Sequence, residues 1–464
     1  MECQEQLDHE NCHVVVFSQD GTDVLLKSVD AGFVFPSIEI PRWQRLAENL
    51  TAALKRDWGC DAVCLFTPND PSQDSNSNGN RYEAMECWRN ESTGEANWKP
   101  IRSLTAKTFQ NEAEFRVLEQ CLHELDDYEH DPSSPFARRG WLGELQSWTG
   151  EKVRSKGIEL TGPFRQYNAS PSFSLIRFET NGPAVWFKAV GEPNRREFPL
   201  TLKLAQLFPE YLPELVATRP DWNGWLSLEA PGTNLGQTQE MALWERAAAA
   251  LARLQVKSIG KTGSILDTGA RDLRTAPLSD LADPFLGIMA QLMERQAKVP
   301  PGILGGKELD WLGAQIKDSL TLLEELGIPD ALGHLDLNAG NIIVSENGYV
   351  FVDWAEAYVG HPFLSFEYLL EHFRHAIGAD VAREAELVRS YNAPWEQVLP
   401  ADVIAEALTL APLAAVFAYA AGIDGWRNQE RPIEPKAAGY FRSLARRMHR
   451  EATQLVDRRP ACLS

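Results

Sequence analysis

Gly333-His334-Leu335-Asp336-Leu337-Asn338-Ala339-Gly340-Asn341-Ile342-Ile343-Val344-Ser345-Glu346-Asn347-Gly348-Tyr349-Val350-Phe351-Val352-Asp353-Trp354 holds two apolar runs, 342–344 and 349–352, on either side of a polar triplet. Such runs around a Gly-containing turn predict a β-hairpin. With a three-residue loop and Gly348 left-handed, Ser345 pairs with Tyr349 and Asn341 faces Asp353. Cross-strand neighbours have Cβ atoms roughly 4.5–5.5 Å apart, so one cation can be shared by both side chains. A two-residue Asn347-Gly348 turn shifts the pairing by one and weakens that juxtaposition. Asp336 precedes Asn341 in a loop that Gly340 helps to bend. Magnesium takes hard oxygen ligands and keeps several waters, so an amide and a carboxylate suffice to hold it. A further carboxylate, free of metal, can accept the proton of an attacking hydroxyl.

Upstream, apolar runs at 173–178 and 184–190 flank Asn181-Gly182, a second hairpin signal. A helix over about 199–208 and an extended run at 224–228 follow. Beyond Leu235 the pattern is mainly helical, with the stripe Trp244, Ala248, Leu251, a helix over 311–326 stopped by Gly327, and further helices after Glu367. Strands followed by helices indicate an α+β fold, a small β-rich lobe on a large helical one. Lys188 stands in the apolar run Trp186-Phe187-Lys188-Ala189-Val190. A lysine there is costly to bury unless it meets phosphates or a carboxylate.

The spacing His334-x-Asp336-x4-Asn341, followed by Val352-Asp353-Trp354, resembles the catalytic and metal motifs of the aminoglycoside phosphotransferase and choline kinase-like family, distant relatives of protein kinases. The resemblance covers about 165–375. It implies a bilobal protein-kinase-like fold that uses ATP and Mg²⁺. Asp336 would be the catalytic base, His334 a support of its loop, and Asn341 and Asp353 the magnesium ligands. Lys188 would meet the ATP phosphates with Glu197 as its ion-pair partner, although Pro199 suggests that the helix starts after Glu197. The run Leu226-Ser227-Leu228-Glu229-Ala230-Pro231-Gly232 resembles the hinge whose backbone meets adenine, so Glu229 and Ala230 are cofactor-binding candidates. Where kinases have a glycine-rich loop, this chain has 168–174 with no glycine, and Ser170 and Ser172 are the candidate phosphate contacts. Gly360-His361-Pro362 matches the family's turn after the metal Asp, with Ser365 where an acidic residue is usual. His361, His372 and His375 show no metal spacing and are assigned to packing or surface.

The first region has a hairpin about Asp20-Gly21, a helix carrying Leu46, Leu50, Ala53 and Leu54 that Gly59 stops, a polar run over 68–80, strands near 82–88 and a helix over 112–125. With Gly32-Phe33-Val34-Phe35-Pro36 this order resembles a Nudix domain. Aligned on Gly59, the Nudix box keeps one carboxylate, Asp57, beside Arg56, and Ala52 and Ala53 replace its Arg-Glu pair. The expectation is a Nudix-like domain without hydrolase chemistry over 1–130, a linker over 131–165, a kinase-like N-lobe over 166–235, and a helical C-lobe over 236–464.

The chain has 464 residues and a formal net charge of −20. That length predicts two or three domains, and that charge argues against nucleic acid or an anionic membrane as partner. A cationic, hydroxylated small molecule fits it. Seven scattered cysteines form no disulfide framework and suit a reducing cytoplasm. The apolar run 407–423 reads as a buried helix, since it holds Pro412 and is shorter than about 20 residues. The expected function is ATP-dependent phosphoryl transfer to a small-molecule hydroxyl. The alternative is a non-catalytic nucleotide-binding regulatory module, a pseudokinase, marked by the glycine-free loop and Ser365.

Overall fold

The computed structural model describes residues 9–41, 44–69, 81–90, 97–346, 348–427 and 433–458. Most of the polar run over 68–80, Asn347 and the terminal cysteines Cys3 and Cys462 lie outside them. The architecture is mixed α+β, sheet-rich towards the N-terminus and helical towards the C-terminus. By its own contacts the chain forms two units, Met1–Phe198 with Glu214–Glu229, and Pro199–Pro213 with Ala230–Ser464.

The first unit opens with β1 (His9–Phe17), β2 (Asp23–Val29), β3 (Gly32–Val34), β4 (Ser37–Pro41), α1 (Leu46–Trp58), β5 (Cys60–Phe66), β6 (Arg81–Asn90), β7 (Asn97–Pro100) and α2 (Glu112–Glu129). Their mixed sheet runs β3-β2-β1-β6-β5, with β1 and β6 parallel. Side chains alternate across a strand, and β1 uses that alternation fully. Val14 and Val16 pack with Leu50 and Leu54 of α1, while Val15 and Phe17 join a second core with Leu118 of α2. Both carboxylate oxygens of Asp57 are taken by Arg56 at 2.7 Å, which leaves Asp57 a poor metal ligand. The five described cysteines are buried and free, as their scatter suggested.

After α3 (Trp141–Arg154) come β8 (Leu160–Ser170), β9 (Phe173–Thr180), β10 (Val185–Ala189), α4 (Glu197–Leu207), β11 (Leu215–Arg219) and β12 (Gly224–Leu228). The strands form an antiparallel sheet ordered β11-β12-β10-β9-β8. Val185, Phe187 and Ala189 of β10 are fully buried in the same core as Trp141 and Phe136, so Trp186 and Lys188 point to the opposite face. Gln166 of β8 is buried too. Its amide oxygen accepts from the Cys64 amide at 2.8 Å, satisfying β5 beside an irregularity of register.

The second unit contains β13 (Thr233–Asn234), α5 (Met241–Ser258), α6 (Thr262–Leu266), β14 (Arg271–Leu273), α7 (Thr275–Asp280), α8 (Ala282–Glu294) and α9 (Gly306–Glu325). Next come β15 (Ala331–His334), β16 (Ile342–Val344), β17 (Tyr349–Phe351), β18 (Ala357–Gly360), α10 (Phe363–Ile377), α11 (Val381–Trp395), α12 (Ala401–Gly422) and α13 (Pro435–Arg458). Two small sheets, β13-β16-β17 and β14-β18-β15, sit on one large core that runs from Leu200 to Leu455. α12 is long and apolar enough to cross a membrane by length and composition. Ile404, Leu410, Leu413 and Phe417 among its apolar residues are buried in this core, and the helix packs against α9, α10 and α13.

Candidate active site

β15 delivers the chain to the loop that carries Asp336. It pairs antiparallel with β18, so Gly333 lies opposite Tyr358 and His334 opposite Ala357. A Cβ on Gly333 would fall 2.0 Å from the Tyr358 ring, so this close crossing requires glycine. Past the strand, the Leu335 amide donates to the Glu356 carbonyl at 3.0 Å, and the backbone turns at Asp336.

The Asp336 carboxylate is held by three neutral side chains. Oδ1 accepts from Asn338 Nδ2 at 3.1 Å and from the Tyr368 hydroxyl at 3.4 Å; Oδ2 accepts from Asn341 Nδ2 at 3.2 Å. Asn341 Nδ2 also donates to the Asp336 carbonyl at 2.8 Å. Burial raises the Tyr368 hydroxyl pKa, and the Asp336 charge adds to it, so Tyr368 stays a neutral donor.

His334 is buried. Its Nδ1 accepts the Asp336 amide at 3.1 Å, and its Nε2 lies 3.3 Å from the Val352 carbonyl. The tautomer with its proton on Nε2 satisfies both contacts. Burial lowers the His334 pKa, and the charges of Asp353 and Asp336 only partly oppose this. A neutral imidazole therefore ties the Asp336 loop to the strand that leads into Asp353.

The hairpin takes neither of its two expected registers, since the pairing shifts by one in the direction opposite to an Asn347-Gly348 turn. Val344 pairs with Tyr349, and the Ser345 amide donates to the Gly348 carbonyl at 3.0 Å. Ser345 Oγ accepts from the Gly348 amide at 3.1 Å and closes the turn, so Ser345 does not pair with Tyr349 as the three-residue loop requires. Asn341 consequently faces Val352, whose amide donates to its carbonyl at 3.0 Å, and not Asp353. Asp353 itself is left-handed, with φ 64°, which ends the alternation of the strand. Strand register therefore does not dictate where its carboxylate points.

Among the described residues no group of three or more His, Cys, Asp or Glu side chains gathers as a metal cage. With Asn341 Nδ2 committed to Asp336, its Oδ1 remains as a hard oxygen donor, and Asp353 supplies a carboxylate. This sparse all-oxygen set suits Mg²⁺, which keeps several waters.

In the first unit, Lys188 Nζ meets Glu197 Oε1 at 2.5 Å, and both side chains are largely buried. Glu197 is the first residue of α4, with Pro199 inside the first turn, where a proline costs no hydrogen bond. The helix therefore starts before Pro199, earlier than the sequence suggested. Glu229 donates its amide to the Ala184 carbonyl at 2.8 Å, and its side chain is bound by Arg177 at 2.7 Å and Trp186 at 3.2 Å. Ala230 follows outside any strand. Ser170 pairs with Phe173, so Ser172 sits in a two-residue turn, and the Pro171 carbonyl in that turn accepts from the Phe136 amide at 3.0 Å.

Sequence reasoning missed Tyr368 and Asn338, and it assigned His372 and His375 to packing or surface. Asp336, Asn338, Tyr368, His372 and His375 line one open pocket of about 470 Å³. Tyr368, His372 and His375 also line a second pocket of about 590 Å³, together with Glu367, Tyr419 and Tyr440. The signal available was helical spacing, since 368, 372 and 375 recur on one face of α10. His361, by contrast, is buried against Phe363, in keeping with its packing assignment. Glu356 is paired with Arg271, and Glu371 with Arg447. Glu367 has no ion pair or hydrogen bond among the described residues, and burial pushes its carboxyl up to about 7.

Residues 212–400 match the model of the family described as "Phosphotransferase enzyme family" (APH). No curated protein matches the sequence. Among solved structures, the chain is similar to a macrolide 2'-phosphotransferase from Brachybacterium faecium, at 15% identity and TM-score 0.44, covering 65% of this chain and 98% of that one. It is similar to an ethanolamine kinase from Plasmodium vivax at 11% identity and TM-score 0.47, covering 73% and 95%. It is also similar to a choline kinase from Streptococcus pneumoniae at 11% identity and TM-score 0.43, covering 66% and 99%. The family match supports a small-molecule phosphotransferase and gives no support to the non-catalytic alternative.

Proposed function

We propose that this protein transfers the γ-phosphoryl group of ATP to a hydroxyl of a small molecule, with Asp336 as the general base. The observation that carries this reading is the Asp336 carboxylate itself, ordered by Asn338, Asn341 and Tyr368 at the wall of an open pocket. A carboxylate fixed by three donors keeps its direction, which is what proton acceptance from a bound hydroxyl requires.

His334 acts on that base as a positioning residue. Neutral and buried, it accepts the Asp336 amide and so fixes the loop. Asn341 Oδ1 and Asp353 would hold Mg²⁺, which when bound neutralises phosphate charge. Lys188, oriented by Glu197, is assigned to the ATP phosphates, with the Glu229–Ala230 backbone assigned to adenine and Ser170 and Ser172 to the phosphate loop.

The acceptor is assigned to the pocket of about 590 Å³ that shares Tyr368 with the base. Tyr368 and Tyr419 stack at 5.6 Å between ring centroids, and Glu367 lies beside them without a partner among the described residues. This lining suits a hydroxylated molecule that carries an apolar or cationic portion. The buried free thiols are compatible with the cytoplasm, where ATP is abundant.

The test is Mg²⁺-dependent ADP release across a panel of hydroxylated metabolites, with wild type beside Asp336→Asn. A base of this kind contributes roughly 10²–10⁴-fold. Equal rates in the two proteins would remove Asp336 from the chemistry.

A further inference from the structure

A separate cavity of about 900 Å³ lies in the second unit, walled by α8, the segment after it and α13. It has no lining residue in common with the pockets around Asp336 and Tyr368. Four cations line it, Arg295, Lys298, Arg442 and Arg446, and among the described residues no carboxylate does. The chain as a whole carries −20, so the sign here is opposite to that of the molecule. Trp426 and Leu292 supply an apolar wall.

Two of these cations are held in place without an ion pair among the described residues. Arg446 Nε donates to the Gly302 carbonyl at 2.6 Å, and Nη2 on the same edge donates to Gln296 Oε1. Arg442 donates to the Leu292 carbonyl at 3.3 Å. None of the four has an ion pair among the described residues, whereas the next residue, Arg447, is paired with Glu371. Arg442 and Arg446 stand four apart on α13, an arrangement of like charges that destabilises a helix unless an anion answers it. Burial and the charge of Arg442 both lower the Arg446 pKa. A guanidinium fixed along one edge by neutral acceptors keeps N–H groups in a planar fork, the geometry that binds phosphate bidentately.

We propose that this cavity binds a small phosphorylated organic molecule. Its phosphate would lie on Arg442 and Arg446, Arg295 and Lys298 would stand at the mouth, and its apolar part would rest against Trp426 and Leu292. The volume falls within the usual range of about 300–1,000 Å³ for small-molecule sites. Nothing in this inference depends on the phosphotransferase reading.

The experiment is calorimetric titration of the full chain with phenyl phosphate, with inorganic phosphate and phenol as the two partial probes. Wild type and Lys188→Met are expected to bind phenyl phosphate alike, and more tightly than either partial probe. Arg442→Gln/Arg446→Gln is expected to weaken binding by about tenfold or more, the loss of about 1.4 kcal/mol. Should that variant fail to fold, Arg295→Glu/Lys298→Glu decides, because both side chains are exposed. It is expected to weaken binding at least about threefold at low salt, with the difference shrinking as salt rises. Unchanged affinity in Arg295→Glu/Lys298→Glu, or no saturable binding to wild type, overturns the proposal. So does loss of binding in Lys188→Met with both cavity variants unaffected.

Discussion

The backbone amide of His334 donates to Ser365 Oγ at 2.8 Å. Ser365 is fully buried, and its hydroxyl also lies 3.0 Å from the Tyr358 hydroxyl, which in turn donates to the His361 carbonyl at 3.0 Å. One chain of hydrogen bonds thus runs from β15, just before Asp336, through α10 to β18 and the turn after it. The position where an acidic residue is usual in the resembling family is filled by a hydroxyl that anchors the loop through the backbone.

Ser365→Ala removes the acceptor of a buried amide and one partner of Tyr358. An orphaned buried group costs about 1–3 kcal/mol. Urea denaturation should show that loss with an unchanged slope, and phosphotransfer should fall because the strand leading to Asp336 loosens. A variant as stable as wild type would mean that a water or another group replaces the hydroxyl.

Gly232 has φ 122°, and a Cβ there would meet the Val344 carbonyl oxygen at 2.0 Å. Its neighbour Thr233 pairs with Val344 in β13–β16, beside the hairpin that leads to Asp353. Gly232→Ala is expected to cost at least about 1–3 kcal/mol through backbone strain and the lost pairing. Thermal unfolding compared with wild type measures it, and a shift within error would show that the turn adapts.

The Lys188–Glu197 pair separates stability from chemistry. Removing one partner of a buried pair leaves a charge without its counterpart, at roughly 3–5 kcal/mol, whereas replacing both by apolar residues can be near neutral. Lys188→Met should therefore be less stable than Lys188→Met/Glu197→Leu. Activity is expected to be lost in both, since the lysine is assigned to the phosphates. A double variant with restored turnover would take Lys188 out of the nucleotide site.

Much of this was legible in the sequence, because local chemistry dictated it. The apolar runs around Asn181-Gly182 and Gly348 became the β9–β10 and β16–β17 hairpins, and Gly327 ends a helix that began a turn earlier than its apolar stripe. The register of β16–β17 was decided by the Ser345 hydroxyl, a side-chain contact that propensity does not reveal. Tyr368 and Asn338 escaped notice for the same kind of reason. A tyrosine on an apolar helix face reads as core, and an asparagine in a turn reads as a turn former. Only the fold shows that their donors end on Asp336.

His361 gives a prediction on pH whose sign can be worked out. Its ring is buried, Nδ1 accepts from the Phe363 amide at 3.4 Å, and Nε2 lies buried with no hydrogen-bond partner. Burial lowers its pKa from 6.5 to about 3. Between those values the unfolded chain binds a proton that the folded one refuses, so stability is full above 6.5 and is lost as pH falls towards 3. Each pH unit in that window costs about 1.4 kcal/mol. His334 and His372 are lowered as well and act in the same sense, while Glu83, Glu86 and Glu367, raised to about 7, act in the opposite one. The net profile of wild type alone is therefore a poor readout. His361→Asn keeps an acceptor for the Phe363 amide and removes one titrating group, and the other groups cancel in the difference. Denaturant midpoints at pH 7 and pH 5 should show wild type losing about 2 kcal/mol more than the variant over that interval. Parallel profiles would mean that His361 is charged in the folded protein.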